Sequence, residues 1–206
     1  IFPLLSDRYL LSVGISVLLM AALGQSWNLM SGYAGQFSFG HAAFFGVGAY
    51  TSSILYVDFG VSPWIGMAAG MAASALLGVG IGFLSFRYRL RGDFFALVTL
   101  AFAEILRVLF NNLKMLKGAE GVLIPYRDIW QEFQFGDDRI FYFILLAMVV
   151  GFTALIGVIS RRKLGICLVA MKESQSVAQS LGVPVLAYKL TAMAVSGVMA
   201  AMAGTF

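Results

Sequence analysis

The sequence predicts an all-α fold, a polytopic bundle of transmembrane helices that includes an interrupted, glycine-rich segment. Composition is the first reason, because 60% of the 206 residues are apolar and 12% are charged, roughly half the charged fraction of an average soluble domain. The second reason is where the charges lie, since residues 9–57, 59–86 and 140–160 contain none. A helix needs about 20 apolar residues to cross a bilayer, so the first stretch fits two crossings and the others one each.

Six apolar segments follow from this pattern, and together they predict a single transmembrane domain over residues 1–206. The segments lie at Tyr9–Met30, Tyr33–Val57, Ser62–Phe86, Phe94–Leu113, Ile140–Ser160 and Ala187–Phe206. The last uncharged run, which starts at Leu190, is slightly short of a full crossing. Because the sequence starts and stops inside apolar stretches, we expect the natural chain to be longer at both ends.

Loop charges predict which side of the membrane each loop faces. Lys and Arg are in excess in residues 87–93 and 161–189, whereas residues 114–139 carry four basic and five acidic side chains. An excess of Lys and Arg marks cytoplasmic loops, so the first two loops are predicted inside and the third outside. Single crossings between them then place residues 58–62 outside and, if the second segment crosses fully instead of being re-entrant, the Gly32–Gly35 turn inside.

The second segment, with the turn before it, is predicted to be interrupted or unusually tightly packed. Its glycines are Gly32, Gly35, Gly40, Gly46 and Gly48. An interior glycine costs a helix about 1 kcal/mol relative to alanine, and interrupted membrane helices occur where they line a cavity or are buried by protein. The alternative is that small residues simply allow another helix to pack closely.

The third segment carries a small residue at every fourth position, which predicts a continuous helix-packing face. These residues are Gly66, Gly70, Ser74, Gly78 and Gly82. Because residues four apart lie on one side of a helix, the backbone of a neighbouring helix can approach closely along this face.

Six residues within the apolar segments are candidates for a substrate path. They are Gln36, Ser38, His41, Phe44, Glu104 and Arg107. His41 can titrate near neutral pH or donate to a carboxylate, although a hydrogen-bonded histidine that locks a broken helix is the simpler interpretation. Glu104 and Arg107 share a helix face and can neutralise each other. Charges inside a membrane line a pathway or bridge to a second subunit, and an ion pair that fixes subunit register is the structural alternative.

The residue inventory argues against an enzyme, a metal site or a nucleic-acid-binding protein. One histidine and one cysteine exclude the two-histidine zinc motif and an internal disulfide, and no glycine-rich loop ends in Gly-Lys-Ser/Thr. An intramembrane enzyme that uses His41 and Glu104 has no recognisable partner motif.

If transport uses ATP, another polypeptide hydrolyses it, so we expect no cofactor in this chain. The net charge of +4 lies in loops beside apolar spans, which indicates orientation rather than nucleic-acid binding.

The inside loop at residues 164–186, called the coupling loop below, is predicted to contain a short amphipathic helix over residues 168–182. Its apolar face consists of Val169, Ala170, Val177, Ala178 and Leu181. Gly182 and Pro184 are typical of a helix end. Such a helix can lie on the membrane surface or dock into a cleft of another protein, and its near balance of charge favours docking on a protein. This dock favours an importer driven by a separate ATPase over a self-contained secondary transporter.

Three blocks of sequence resemble the permeases of branched-chain amino acid ABC transporters, and the longer M-type subunit in particular. The first two blocks are residues 28–51 and 89–102. The third consists of Ala170, Glu173, Ala178, Leu181, Gly182, Tyr188, Lys189 and Leu190. The resemblance implies a multi-pass protein of the bacterial inner membrane, assembled with a second permease, two cytoplasmic ATPases that bind ATP, and a periplasmic solute-binding protein.

The resemblance also implies which residues of the coupling loop act on the ATPase. They are Ala170, Lys172, Glu173, Ala178, Leu181 and Gly182. It implies leucine, isoleucine or valine as the substrate, but importers of urea, short-chain amides and other amino acids share the same blocks. These substrates stay open as alternatives at this point.

Overall fold

The predicted all-α bundle is confirmed for the part of the chain that the structure describes. The structure is a computed structural model that describes residues 8–88, 90, 92–113 and 137–206, and these residues form helices and no β-strand. The helices are α1 Arg8–Asn28, α2 His41–Phe59, α3 Pro63–Arg87, α4 Asp93–Asn112, α5 Asp138–Arg161, α6 Lys163–Glu173, α7 Gln175–Ser180 and α8 Val185–Thr205. Arg89, Arg91 and most of the predicted outside loop lie outside the described residues.

Among the described residues, four helices are long and apolar enough to cross a membrane, judged by length and composition alone. They are α1 with its extension to Tyr33, α3, α5 and α8. Helices α2 and α4, with 19 and 20 residues, are not among these four, so two of the six predicted segments form helices without being identified as spans. Five of the six predicted segments match a helix within a few residues at each end, as expected for boundaries set by the limits of the apolar runs.

The second segment differs from its predicted start because residues 34–40 form no helix. Helix α1 continues as a π-helical turn at Leu29–Tyr33, and α2 begins only at His41. Gly35 has a φ of +64°, in the left-handed region that glycine adopts without steric cost. Gly46 and Gly48 lie inside α2, so the interruption precedes the helix. Residues 34–40 are called the break below.

Helix α3 packs through its small-residue face against α2 and α8. All five small residues of this face are buried. A Cβ built on Gly70 would lie 3.1 Å from the Cα of Gly48 in α2. One turn further along the face, Ser74 Oγ donates to the carbonyl of Gly197 in α8 at 2.8 Å. The three backbones therefore approach so closely that larger side chains would not fit between them.

A second cluster joins α5 to α1 and α8. Leu145, Met148, Phe152 and Ile156 recur along one face of α5 and are buried against α1 and α8. Their spacing of three or four residues places them on one stripe of the helix. Helix α8 contacts α1, α2 and α3 and contributes to this cluster and to another that includes Met30, Phe44 and Phe95, so it lies at the centre of the bundle.

The coupling loop contains two helices, so the prediction of one helix over residues 168–182 was wrong. Ser174 lies between α6 and α7 with extended backbone angles of −151° and 103°. Its N–H donates to the carbonyl of Ala170, and its own carbonyl accepts from the N–H of Ala178. One residue therefore ends the first helix and begins the second, a position that serine favours.

Helix α7 ends in a Schellman motif centred on Gly182. The N–H of Gly182 donates to the carbonyl of Gln179, and the N–H of Val183 donates to that of Ala178. Gly182 has a φ of +80°, the left-handed conformation that this motif requires.

Contacts between loops agree with the sides that the charge pattern predicts. Lys172 of the coupling loop reaches Gly32, and Arg87 lines a cavity that Gln175 also lines. At the other end of the bundle, the rings of Phe141 and Phe206 lie 5.5 Å apart. The three segments predicted to be inside therefore meet at one end of the bundle.

Candidate functional site

The break is held in place by hydrogen bonds from three directions. The N–H of Gln36 donates to the carbonyl of Met30 and closes the π-helical turn. The indole Nε1 of Trp27 donates to the carbonyl of Ser38 at 2.8 Å. The N–H of Phe39 donates to Thr99 Oγ1 of α4 at 3.1 Å. The irregular backbone thus has partners inside the protein, as non-helical backbone at membrane depth requires.

His41 joins the break to α1 and α8 through a buried chain of hydroxyl groups. Its Nδ1 lies 3.0 Å from Ser38 Oγ, and its Nε2 lies 2.6 Å from Ser196 Oγ. Ser196 Oγ in turn donates to the carbonyl of Ser26 at 2.5 Å. Because the hydroxyl proton of Ser196 is used on that carbonyl, its oxygen accepts from Nε2–H, and Nδ1 of the neutral imidazole accepts from Ser38.

Gln36 and Phe44 also face the interior of the chain. Gln36 Nε2 donates to the carbonyl of Gly35 at 3.1 Å, while its buried Oε1 has no hydrogen-bond partner among the described residues. The Phe44 ring is buried and lies edge-on to His41, with centroids 5.6 Å apart. In this conformation Gln36, Ser38, His41 and Phe44 are all buried inside the protein.

Glu104 and Arg107 lie apart from that network, on the outward face of α4. Arg107 Nε donates to Glu104 Oε2 at 2.8 Å, and the two side chains are 66% and 55% exposed. They border a groove of about 320 Å³ between α2 and α4, to which Phe39, Gly46 and Tyr50 also contribute. The sequence predicts that α4 crosses the membrane, where an ion pair is costly against lipid, so we expect water or another protein beside this face.

Three hydroxyl-bearing residues of these networks were not singled out from the sequence, nor was Trp27. Ser26 and Ser196 lie in long apolar runs, and Thr99 lies on α4 near the break. All three are buried and hydrogen-bonded. A hydroxyl group in a membrane helix needs a hydrogen-bond partner that lipid cannot supply, so the sequence indicates that each of these residues has a partner within the protein. It does not indicate which residue that partner is.

The predicted coupling residues divide between the surface and the core. Ala170, Glu173, Leu181 and Gly182 are exposed, whereas Ala178 is buried. Val177 and Leu181 are 58% and 79% exposed, so α7 presents an apolar edge to its surroundings. Lys172 Nζ donates to the carbonyl of Gly32 at 3.0 Å, which connects the coupling loop to the π-helical turn.

Comparison with known proteins gives one family over nearly the whole chain. Residues 9–206 match the family described as branched-chain amino acid transport system / permease component. The chain is 30% identical over 228 residues to the high-affinity branched-chain amino acid transport system permease protein LivM of Salmonella typhimurium (strain LT2), covering 99% of this chain and 53% of that protein.

LivM of Escherichia coli (strain K12) is similarly 30% identical over 230 residues, with 99% of this chain and 53% of the relative covered. The chain thus spans about half the length of the curated relatives that it matches. No solved structure matches it.

Proposed function

The chain belongs to the family of branched-chain amino acid transport permeases, and we propose that it is a permease subunit of an ABC importer that carries leucine, isoleucine or valine across the inner membrane. The family consists of transport permeases rather than enzymes, and the four apolar helices are those of a multi-pass membrane protein. Separate ATPase subunits bind and hydrolyse ATP in this proposal.

The proposed substrate path is supported mainly by the Glu104–Arg107 ion pair, which lies beside the apolar groove between α2 and α4. A free amino acid is a zwitterion, so it needs an anion for its ammonium group and donors for its carboxylate. Glu104 supplies the first and Arg107 the second, through charge-assisted hydrogen bonds. Phe39 and Tyr50 offer apolar surface for an aliphatic side chain.

The same pair favours an amino acid over urea or a short-chain amide. These alternative substrates are neutral, so they do not replace both charges of the ion pair when they enter the groove. In this proposal Glu104 and Arg107 contact the substrate directly. The buried side chains hold the break, and with it Phe39, in place beside the groove; they are Gln36, Ser38, His41 and Phe44.

The exposed surfaces suggest where partner subunits bind. The outward face of α4 is apolar apart from its ion pair, with Leu97, Ile105 and Val108 each more than half exposed, and a second permease there would close the groove. The ATPase would dock on the coupling loop through Val177 and Leu181, as an exposed amphipathic helix docks in a cleft. A periplasmic binding protein would deliver substrate at the opposite end.

Substitution of the ion pair in the complete reconstituted complex tests this proposal. Glu104→Gln and Arg107→Gln should each lower leucine uptake about tenfold or more, the effect of losing one charge-assisted hydrogen bond, while assembly is retained. Asn112→Ala, an exposed change at the end of the same helix, serves as the control. Unchanged leucine uptake in both variants would remove these residues from the path, and loss of assembly would make the pair a subunit contact.

A further inference from the structure

The last turn of α6 contacts the end of the π-helical turn that precedes the break. Lys172 Nζ donates to the carbonyl of Gly32 at 3.0 Å. Carbonyls at a helix C-terminus lack partners within the helix and carry partial negative charge, so the ammonium group both completes a hydrogen bond and interacts favourably with the helix dipole.

Gly35 makes room for the stem of the same lysine. A Cβ built at Gly35 would lie 2.8 Å from Cγ of Lys172 and 3.2 Å from its Cβ. The positive φ of Gly35 turns the backbone toward α6 at this point. The lysine therefore packs along the start of the break as well as bonding to the turn before it.

Apolar contacts reinforce this connection. Leu168 and Met171 of α6 are buried in the same hydrophobic cluster as Met30, which precedes the break, and Ala34, its first residue. Because close-packed interiors transmit displacement instead of absorbing it, a movement of α6 carries these residues with it.

The far end of the break leads to the groove. Phe39 bonds through its N–H to Thr99 on α4 and contributes its side chain to the groove that Glu104 borders. A continuous series of contacts thus runs from Lys172 through Gly32 and the break to the candidate path.

We propose that Lys172 is a positioning residue that joins α6 to residues 32–35 as one rigid body, so that displacement of the coupling loop by the ATPase moves the break and Phe39 at the groove. This inference rests on the proposed function.

The first test measures leucine transported per ATP hydrolysed in the complete complex. Lys172→Met keeps the stem and removes the donor, so it should lower this ratio about tenfold while ATP hydrolysis continues. Lys172→Arg keeps a donor and should restore most of the ratio. Lys163→Met removes the same charge from the exposed first turn of α6 and should leave the ratio unchanged. Equal ratios for Lys172→Met and Lys163→Met would overturn the inference.

The second test replaces the hydrogen bond between Lys172 and Gly32 by a disulfide bond that can be reduced. The oxidised and reduced forms of the same preparation are then compared. The Cβ separation of 3.2 Å between positions 35 and 172 is a few tenths of an ångström below the usual range of a disulfide. A small displacement of α6 therefore allows Gly35→Cys with Lys172→Cys, in a background that carries Cys167→Ser and no other cysteine, to cross-link on oxidation. The oxidised complex should transport near the native ratio and the reduced complex about tenfold less. Reduction that leaves transport unchanged or raises it would contradict the rigid-body account.

These outcomes separate failure of this inference from failure of the proposed function. If the native complex moves no branched-chain amino acid, the proposed function is wrong whatever the variants do. If the native complex transports and the Lys172 variants match their control, the function stands and the role of Lys172 is wrong.

Discussion

At the scale of single residues, His41 links the break to α1 and α8 through hydrogen bonds with buried serines. A lone histidine in an apolar run predicts either a ligand for the substrate or a lock for a broken helix, and nothing in the sequence chooses between them. The structure places it between Ser38 and Ser196, with Ser26 beyond. Ser196 lies 155 residues from His41, and a pairing across that distance depends on how α1, α2 and α8 assemble.

The buried chain of hydroxyl groups predicts a stability effect at Ser196. Ser196→Ala removes the acceptor of His41 Nε2–H and leaves that group buried without its partner, which costs about 1–3 kcal/mol, and it also removes the hydrogen bond to the carbonyl of Ser26. We expect a lower midpoint for thermal unfolding of the purified complex.

Ser16→Ala is the matched control, because Ser16 is exposed on α1 and bonds to its own helix. A midpoint for Ser196→Ala that equals that of Ser16→Ala would show that the chain of hydroxyl groups does not hold the helices together.

At the scale of elements, helix positions were predictable and helix partners were not. Charge-free stretches and small-residue spacing gave the extents of α3 and its packing face, because both depend on residues close in sequence. The spacing could not say that Gly70 meets α2 while Ser74 meets α8. The end of α6 at Ser174 was not predicted because the apolar pattern continues across this residue. The preference of serine for the start of a helix is a weaker indication than that pattern.

The close approach of α2 to α8 predicts opposite effects for two glycine substitutions. A Cβ at Gly48 would meet the backbone of Ala201, whereas nothing lies within 4 Å of a Cβ at Gly80. Gly48→Ala should therefore force the helices apart and lower the yield of assembled complex, a typical cost being about 1–3 kcal/mol for overpacking.

Gly80→Ala should be neutral or slightly stabilising, since alanine favours a helix over glycine by about 1 kcal/mol. Size-exclusion chromatography and thermal unfolding of both variants measure the difference. Equal behaviour of the two would contradict the contact between α2 and α8.

At the scale of the whole molecule, the charge pattern and the contacts describe the same arrangement. Loops that the Lys and Arg excess predicts to be inside meet at one end of the bundle through Lys172 and Arg87. The separation of the candidate path residues into a buried network and an open groove was not predictable, because it depends on which face of α4 the other helices leave uncovered.

The central claim, that this chain is the permease subunit of an ATP-driven importer for branched-chain amino acids, is tested most directly by labelled leucine uptake into proteoliposomes. The vesicles carry the complete complex with its binding protein, and ATP or a non-hydrolysable analogue is enclosed on the ATPase side. The account predicts accumulation of leucine above the external concentration with ATP, competition by isoleucine and valine but not by urea, and no accumulation with the analogue. Accumulation that is independent of ATP hydrolysis, or uptake of urea in place of leucine, would contradict it.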